Sequence, residues 1–202
     1  MIYHKTLLLL LSVLTLPSIE AFPQTSWEID KRKDGIVVYT RAEKGSEFKS
    51  FKAFVLVEAT TDEVIRILKN ADSYAEWYGY TQTSKLLKRD ENIQFNYVET
   101  IFPWPFKNRD MVYRMSINSS NPNETVISLE GIPNYMPEKK GIVRMKKAEG
   151  YILLKPLELK TEVTYVFHSE PGDNIPSWIA NNSIAELPYK TLDGLREILN
   201  GR

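Results

Sequence analysis

The sequence predicts an α+β domain: one curved antiparallel sheet wrapped around a long C-terminal helix. Three observations point there. Extended segments punctuated by turn residues fill most of the chain, a single capped helical segment interrupts them after residue 60, and the chain closes on a segment with helical apolar spacing. Trp27 to Lys33 and Ile36 to Ala42 flank Asp34-Gly35, and Asp-Gly between β-prone runs is a strong hairpin signal. A turn at Gly45-Ser46 leads into a third strand marked by Phe48, Phe51, Phe54, Val55 and Val57, with one bulge expected to correct its alternation. Thr60-Thr61-Asp62-Glu63 then has the form of a capping box, and Val64, Ile67, Leu68 and Ala71 follow at helical spacing.

After the aromatic segment around Trp77, strands are expected over Thr83 to Lys88, Ile93 to Phe102, Met111 to Asn118 and Thr125 to Gly131. Two more, Ile142 to Lys147 and Tyr151 to Lys155, are expected to join at Glu149-Gly150. The last runs from Thr161 to His168. Pro171-Gly172 breaks the chain before one long helix whose stripe is Trp178, Ala185, Pro188, Leu192, Leu195 and Leu199, with a kink at Pro188. A twisted sheet that curls around this helix can leave a cavity on its concave face, and periodicity does not say whether side chains fill it.

The first residues are organised as a cleavable export signal: Lys5, an apolar run from Leu7 to Leu16, Pro17, then small residues at Ser18 and Ala21. The run is shorter than the ~20 residues of a spanning helix, so cleavage near Ala21 is expected, leaving one domain over residues 22–202 in the periplasm or outside the cell. The chain has no cysteine, which excludes disulfides and thiolate metal sites. Its formal net charge is zero, so nothing suggests nucleic acid as a partner. The basic stretch Lys139, Lys140, Arg144, Lys146 and Lys147 is broken by apolar residues and reads as a solvated strand face.

The segment Phe102-Pro103-Trp104-Pro105-Phe106-Lys107-Asn108-Arg109-Asp110 resembles the PxP…xRD stretch of START domains, lipid-transfer proteins with a helix-grip fold. Further matches follow in order: Trp27, Asp34-Gly35-Ile36 and Tyr39 resemble the family's opening and Trp77 its mid-domain tryptophan. Ile175 to Ile179 and Leu187 to Leu192 resemble its closing helix. The resemblance covers the whole mature chain and implies a monomer that binds a lipid, sterol or other hydrophobic molecule, without a cofactor. The C-terminal helix and an adjacent loop would serve as a gate, with transient membrane-surface contact. In the family's phosphatidylcholine-binding branch an arginine holds the phosphate and aromatic rings cage the headgroup. Tyr74, Val98 and Met111 stand at those places here and supply neither the cation nor the cage, which argues against phosphatidylcholine. Arg114 is the nearest match to the sterol branch's arginine, one residue out of register and so turned to the other face.

Catalytic chemistry has few carriers. His168 is the only histidine beyond the leader and reads as a strand-end surface residue. Alternation puts Glu99 with Ile93, Phe95, Tyr97 and Ile101. If that face is the inner one, its carboxylate meets Arg109 or Arg114, bonds a ligand or titrates high; otherwise it pairs near the strand end and holds the following loop. Arg109 and Asp110 read as pins for that loop. Trp104, between two prolines, either seals the cavity mouth, inserts at a membrane or packs on the rim. Trp178 and Ile179 are expected to face inward, and Tyr97, Tyr113, Tyr165 and Phe167 to share the same space. With Trp77, Glu99, Trp104 and Arg109, these six are the cavity candidates.

Three functions remain on this reading. The first is a non-catalytic carrier, the second a cyclase- or hydrolase-like enzyme using Glu99 or a tyrosine. The third is an envelope interaction module with a filled cavity and an exposed apolar patch.

Overall fold

The computed structural model describes residues 26–172 and 175–201. The export signal expected over residues 1–21 lies outside them. Ten strands form one sheet in the order β1-β2-β3-β10-β9-β7-β6-β5-β4, antiparallel throughout, with the two-residue β8 pairing parallel to β6. The chain enters through the β1 (Glu28–Lys33) and β2 (Ile36–Arg41) hairpin. Asp34 and Gly35 take φ of 51° and 75°, the conformation a two-residue turn between twisted strands demands.

β3 (Ser50–Val57) is regular along both neighbours, and the irregularity falls in β1 between Ile29 and Lys31 instead. No bulge is needed in β3 because Phe54 belongs to the outer face, edge-on to Tyr39 at 5.7 Å, while Phe51, Ala53, Val55 and Val57 point into the core. α1 (Thr61–Lys69) carries the expected capping box: Thr60 N–H donates to Glu63 Oε2 at 2.8 Å, and the Thr60 hydroxyl accepts from Glu63 N–H. Val64 and Leu68 are its buried face. A 3-10 turn (Ala71–Ser73) and a single helical turn, α2 (Tyr74–Trp77), follow.

β4 (Thr81–Asp90), β5 (Ile93–Thr100), β6 (Arg109–Asn121) and β7 (Glu124–Gly131) form a meander that overlaps the expected segments. β8 is only Val143–Arg144, and β9 (Lys147–Leu157) runs unbroken through Gly150 to its hairpin with β10 (Lys160–Glu170). The expected joint at Glu149-Gly150 is thus not a turn. A Cβ on Gly150 would lie 2.2 Å from the Val166 carbonyl oxygen and 2.7 Å from the Phe167 ring, so this glycine serves close approach to β10.

The C-terminal segment is two helices, α3 (Ser177–Asn182) and α4 (Glu186–Leu199). The break falls upstream of Pro188, not at it. A proline ring clashes with the carbonyl four residues earlier, here that of Ile184, so the helix can start only after that residue, and Pro188 then sits harmlessly in the first turn of α4. The Ser183 hydroxyl donates to Ile179 and Ala180 carbonyls and closes α3.

Tyr189, Leu192 and Leu195 of α4 pack onto the concave face with Ile36, Val38, Val55, Ile127 and Leu154. Burial of this stripe is the main source of helix stability, since each large apolar side chain contributes ~1.5–3 kcal/mol. α4 also lies directly on the α2 backbone, where a Cβ on Gly194 would meet the Trp77 carbonyl oxygen at 2.2 Å. Gly194→Ala is therefore expected to destabilise by about 1–3 kcal/mol in urea titration, despite alanine's better helix propensity. A gain in stability would show that α4 can slide off α2.

Candidate ligand cavity

A cavity of about 450 Å3 opens at the end of the sheet where β3 begins and β10 ends. Its walls come from irregular or short elements. One side is the loop after β5, with Phe102, Pro103 and Phe106; the other is α3 and the α3–α4 corner, with Ile179, Ile184 and Leu187. Phe48, Phe51 and Phe167 line the sheet side. These aromatics and aliphatics make the chamber mainly apolar, with a few polar groups, among them Lys49, Thr100 and Asn181.

Behind this chamber the concave face is filled by side chains. Tyr165 is edge-on to Phe51 at 4.9 Å, its hydroxyl lies 2.5 Å from that of Tyr78, and Tyr78 stacks on Tyr74 at 5.2 Å. The Tyr74 hydroxyl donates to the Leu68 carbonyl, and the Tyr113 phenol is buried in the same cluster. Burial pushes the Tyr113 phenol up to about 12 and those of Tyr74 and Tyr78 well above the ordinary phenol range.

Hydrogen bonds fasten both walls of the cavity. The Asn108 amide donates to Glu99 Oε1 at 2.8 Å, and Asn108 Oδ1 accepts from Phe102 N–H at 3.3 Å, folding the proline-containing loop back on β5. Arg109 Nε donates to the Pro171 carbonyl at 3.1 Å and its guanidinium lies over the Phe102 ring at 4.7 Å, joining that loop to the exit of β10. Burial lowers the Arg109 pKa. On the other side, Asn181 Oδ1 accepts from Lys49 N–H at 2.9 Å while its amide donates to the Glu47 carbonyl at 2.9 Å, and Lys31 reaches Glu186 at 2.6 Å. α3 has no fully buried residue and no side-chain N-cap, so little besides these bonds holds it down.

Of the ten sequence candidates, Phe167 and Ile179 line the cavity. Arg109 is buried at its edge, where it fastens the loop after β5, and Trp104 stands 91% exposed at the tip of that loop. Trp77, Tyr113 and Tyr165 belong to the solid core behind. Trp178, expected inward, is 65% exposed: α3 lies flat on the mouth and turns Ile179, not Trp178, to the chamber. Tyr97 and Glu99 lie on the outer face, because the core side of β5 carries Gln94, Asn96 and Val98. There the Tyr97 ring is covered by Lys139 at 3.8 Å and Phe95 stacks on Tyr135, so the loop between β7 and β8 gives this face an apolar cover. That second cover hides the true inward face from an alternation argument.

Other expectations change as well. Arg144 is no solvated strand residue; it donates to both Asp110 oxygens at 2.7 and 3.0 Å, with each side chain 1% exposed. His168 is buried rather than on the surface, its Nδ1 3.2 Å from the Ser50 hydroxyl, which donates to Glu43 at 2.6 Å. That hydroxyl, with Arg41, holds the Glu43 carboxyl below the usual range against the opposing effect of burial. Arg114 points outward onto Glu130. Sequence reasoning missed Phe48, Lys49, Ile184 and Leu187 as lining residues; they sit in turns and helix corners where no period marks a face.

A sheet that grips a C-terminal helix and leaves its opening between that helix segment and a loop defines the helix-grip class. The family model of the START domain matches residues 23–200. An uncharacterised protein of Pseudomonas aeruginosa is 31% identical over 87% of this chain and 88% of its own. The crystal structure of a StAR-related lipid transfer protein from Xanthomonas axonopodis superimposes with a TM-score of 0.82 at 36% identity, covering 86% of this chain and 98% of that one. Mouse phosphatidylcholine transfer protein is similar at 24% identity over 80% of this chain and 78% of its own. The chain belongs to the START domain family.

Proposed function

We propose that this chain is an exported, monomeric carrier that holds one hydrophobic molecule in the cavity beneath α3. The observation that carries the reading is the cavity itself: about 450 Å3 of mainly apolar space whose cover, among the described residues, is a weakly held helix and a loop. The printed names of two relatives, a lipid transfer protein and a phosphatidylcholine transfer protein, support lipid as the ligand class. The apolar run from Leu7 to Leu16 supports export to the periplasm or beyond. Trp104 and Trp178, one on each gate element and both exposed, suit a membrane interface, where indole rings prefer to sit, so that docking and gate opening coincide.

Carriage is favoured over catalysis by the placement of the carboxylates. Glu99 faces away from the chamber and is held by Asn108, and Glu186 at the mouth is held by Lys31. Neither is placed as a free acid or base. The test is to express the chain with its export signal intact, purify it without detergent and weigh it by native mass spectrometry. One hydrophobic molecule per protein, released on denaturation, is the expected result. An empty protein that also takes up nothing from a labelled lipid panel would overturn the reading.

A further inference from the structure

The filled core behind the cavity and a lysine at its mouth narrow the ligand class. The chamber of about 450 Å3 is mainly apolar space that a hydrophobic chain can enter from the mouth. The space in which a second chain would lie is closed by the tyrosines behind Phe51 and Phe167, joined hydroxyl to hydroxyl and ring to ring. The Tyr78 and Tyr165 hydroxyls bond each other and that of Tyr74 bonds the Leu68 carbonyl, so a charged head buried there would go uncompensated and is better solvated at the mouth.

Among the described residues, two charged ones line the mouth, Lys49 and Glu186. Glu186 is neutralised by Lys31 at 2.6 Å. Lys49, partly buried and on the face of Phe51, has no carboxylate within ion-pair distance among the described residues. Its backbone N–H donates to Asn181 Oδ1 at 2.9 Å, so Lys49 stands next to α3. We infer that the cavity takes a single-chain anionic amphiphile, its chain against Phe51 and Phe167 and its carboxylate or phosphate head on Lys49. This deepens the carrier reading and rests on it.

The experiment uses the full chain, exported, purified and freed of co-purified ligand. The probes are palmitate, hexadecanol, the lysophosphatidic acid of the same chain, and vesicles of dipalmitoyl phosphatidylcholine and phosphatidylglycerol. Palmitate is expected at one per protein and about tenfold tighter than hexadecanol, the worth of a charge-assisted hydrogen bond in a partly dry site. Lys49→Met should remove most of that advantage while hexadecanol binding is retained. Affinity should rise about fourfold per methylene and level off once the chain reaches the tyrosines behind Phe51 and Phe167. If palmitate outcompetes lysophosphatidic acid the head is a carboxylate, and if the reverse, a phosphate. Stoichiometric uptake of a two-chain lipid from the vesicles, or a palmitate affinity unmoved by Lys49→Met, overturns the inference while leaving the carrier reading intact. Binding of none of the four overturns both.

Discussion

Arg144→Met lowers the free energy of unfolding by about 3–5 kcal/mol, because it leaves the Asp110 carboxylate buried with no counter-charge. Arg144 spans Asp110 with two bonds and adds two more, from one terminal nitrogen to the carbonyls of Pro133 at 2.6 Å and Met136 at 3.1 Å. The side chain thus joins β6, β8 and the loop that covers the outer face of β5. Asp110 is the residue after Arg109, so the same ion pair anchors the strand whose first residue fastens the cavity wall. A urea titration measures the loss, and limited proteolysis between Gly131 and Gly141 should accelerate with it. The double variant Asp110→Leu/Arg144→Met is expected to recover much of the stability, since an apolar pair leaves no unpaired charge. A loss below about 1 kcal/mol in the single variant would mean that water reaches the pair and screens it like a surface bridge.

Alkaline solution should unfold the protein abruptly. Burial raises the phenol pKa of Tyr74, Tyr113 and Tyr165 in the native state, that of Tyr113 to about 12. Below the unfolded value of about 10 these phenols are neutral in both states, and their contribution to stability is complete. Above it the unfolded chain releases protons that the native state keeps, so stability falls by about 1.4 kcal/mol per tyrosine per pH unit, or about 4 for the three. Loss of circular dichroism and appearance of their tyrosinate absorbance should coincide, beginning above pH ~10. Tyr165→Phe should make the decline shallower by one proton. Titration of these three tyrosines near pH 10 with the fold intact would show a hydrated interior, and the volume available to a ligand would then extend past Phe51.

The two expectations share a cause. Side chains that cross the domain decide what is solid and what is open, and those crossings are least visible in the chain. Asp110 and Arg144 are thirty-four positions apart with nothing between them to announce the pair. By contrast, the Asp34-Gly35 turn and the Thr60 to Glu63 box are local events, settled by backbone conformation and by side chains three residues apart, and both are found as read. Gly150 shows the limit of local reading. Beside Glu149 it has the look of a turn, yet its missing side chain makes room for Phe167, a residue of the next strand.

Glu99 illustrates the same limit at the site. Its strand alternates cleanly, but both faces of β5 are covered, one by the core and the other by the Pro133 to Gly141 loop with Tyr135 and Lys139. Period two divides a strand into faces without saying which is inner once both are buried. Trp178 fails for a related reason. Helical spacing assumed one rod from Ile175 onward, whereas Pro188 forces a corner at Ser183 to Ala185 and so rotates α3 independently of α4.

By itself the sequence determined the α+β class, the order of strands and helices and, through the segment from Phe102 to Asp110, the family, because these rest on turn chemistry, capping and short patterns that need only neighbours. The tertiary structure alone decided that the deep concave face is filled by tyrosines, that the open space lies under α3, and that Lys49 rather than Glu99 stands at it. Those facts depend on which distant side chains meet when the sheet curls, and no local period encodes that meeting.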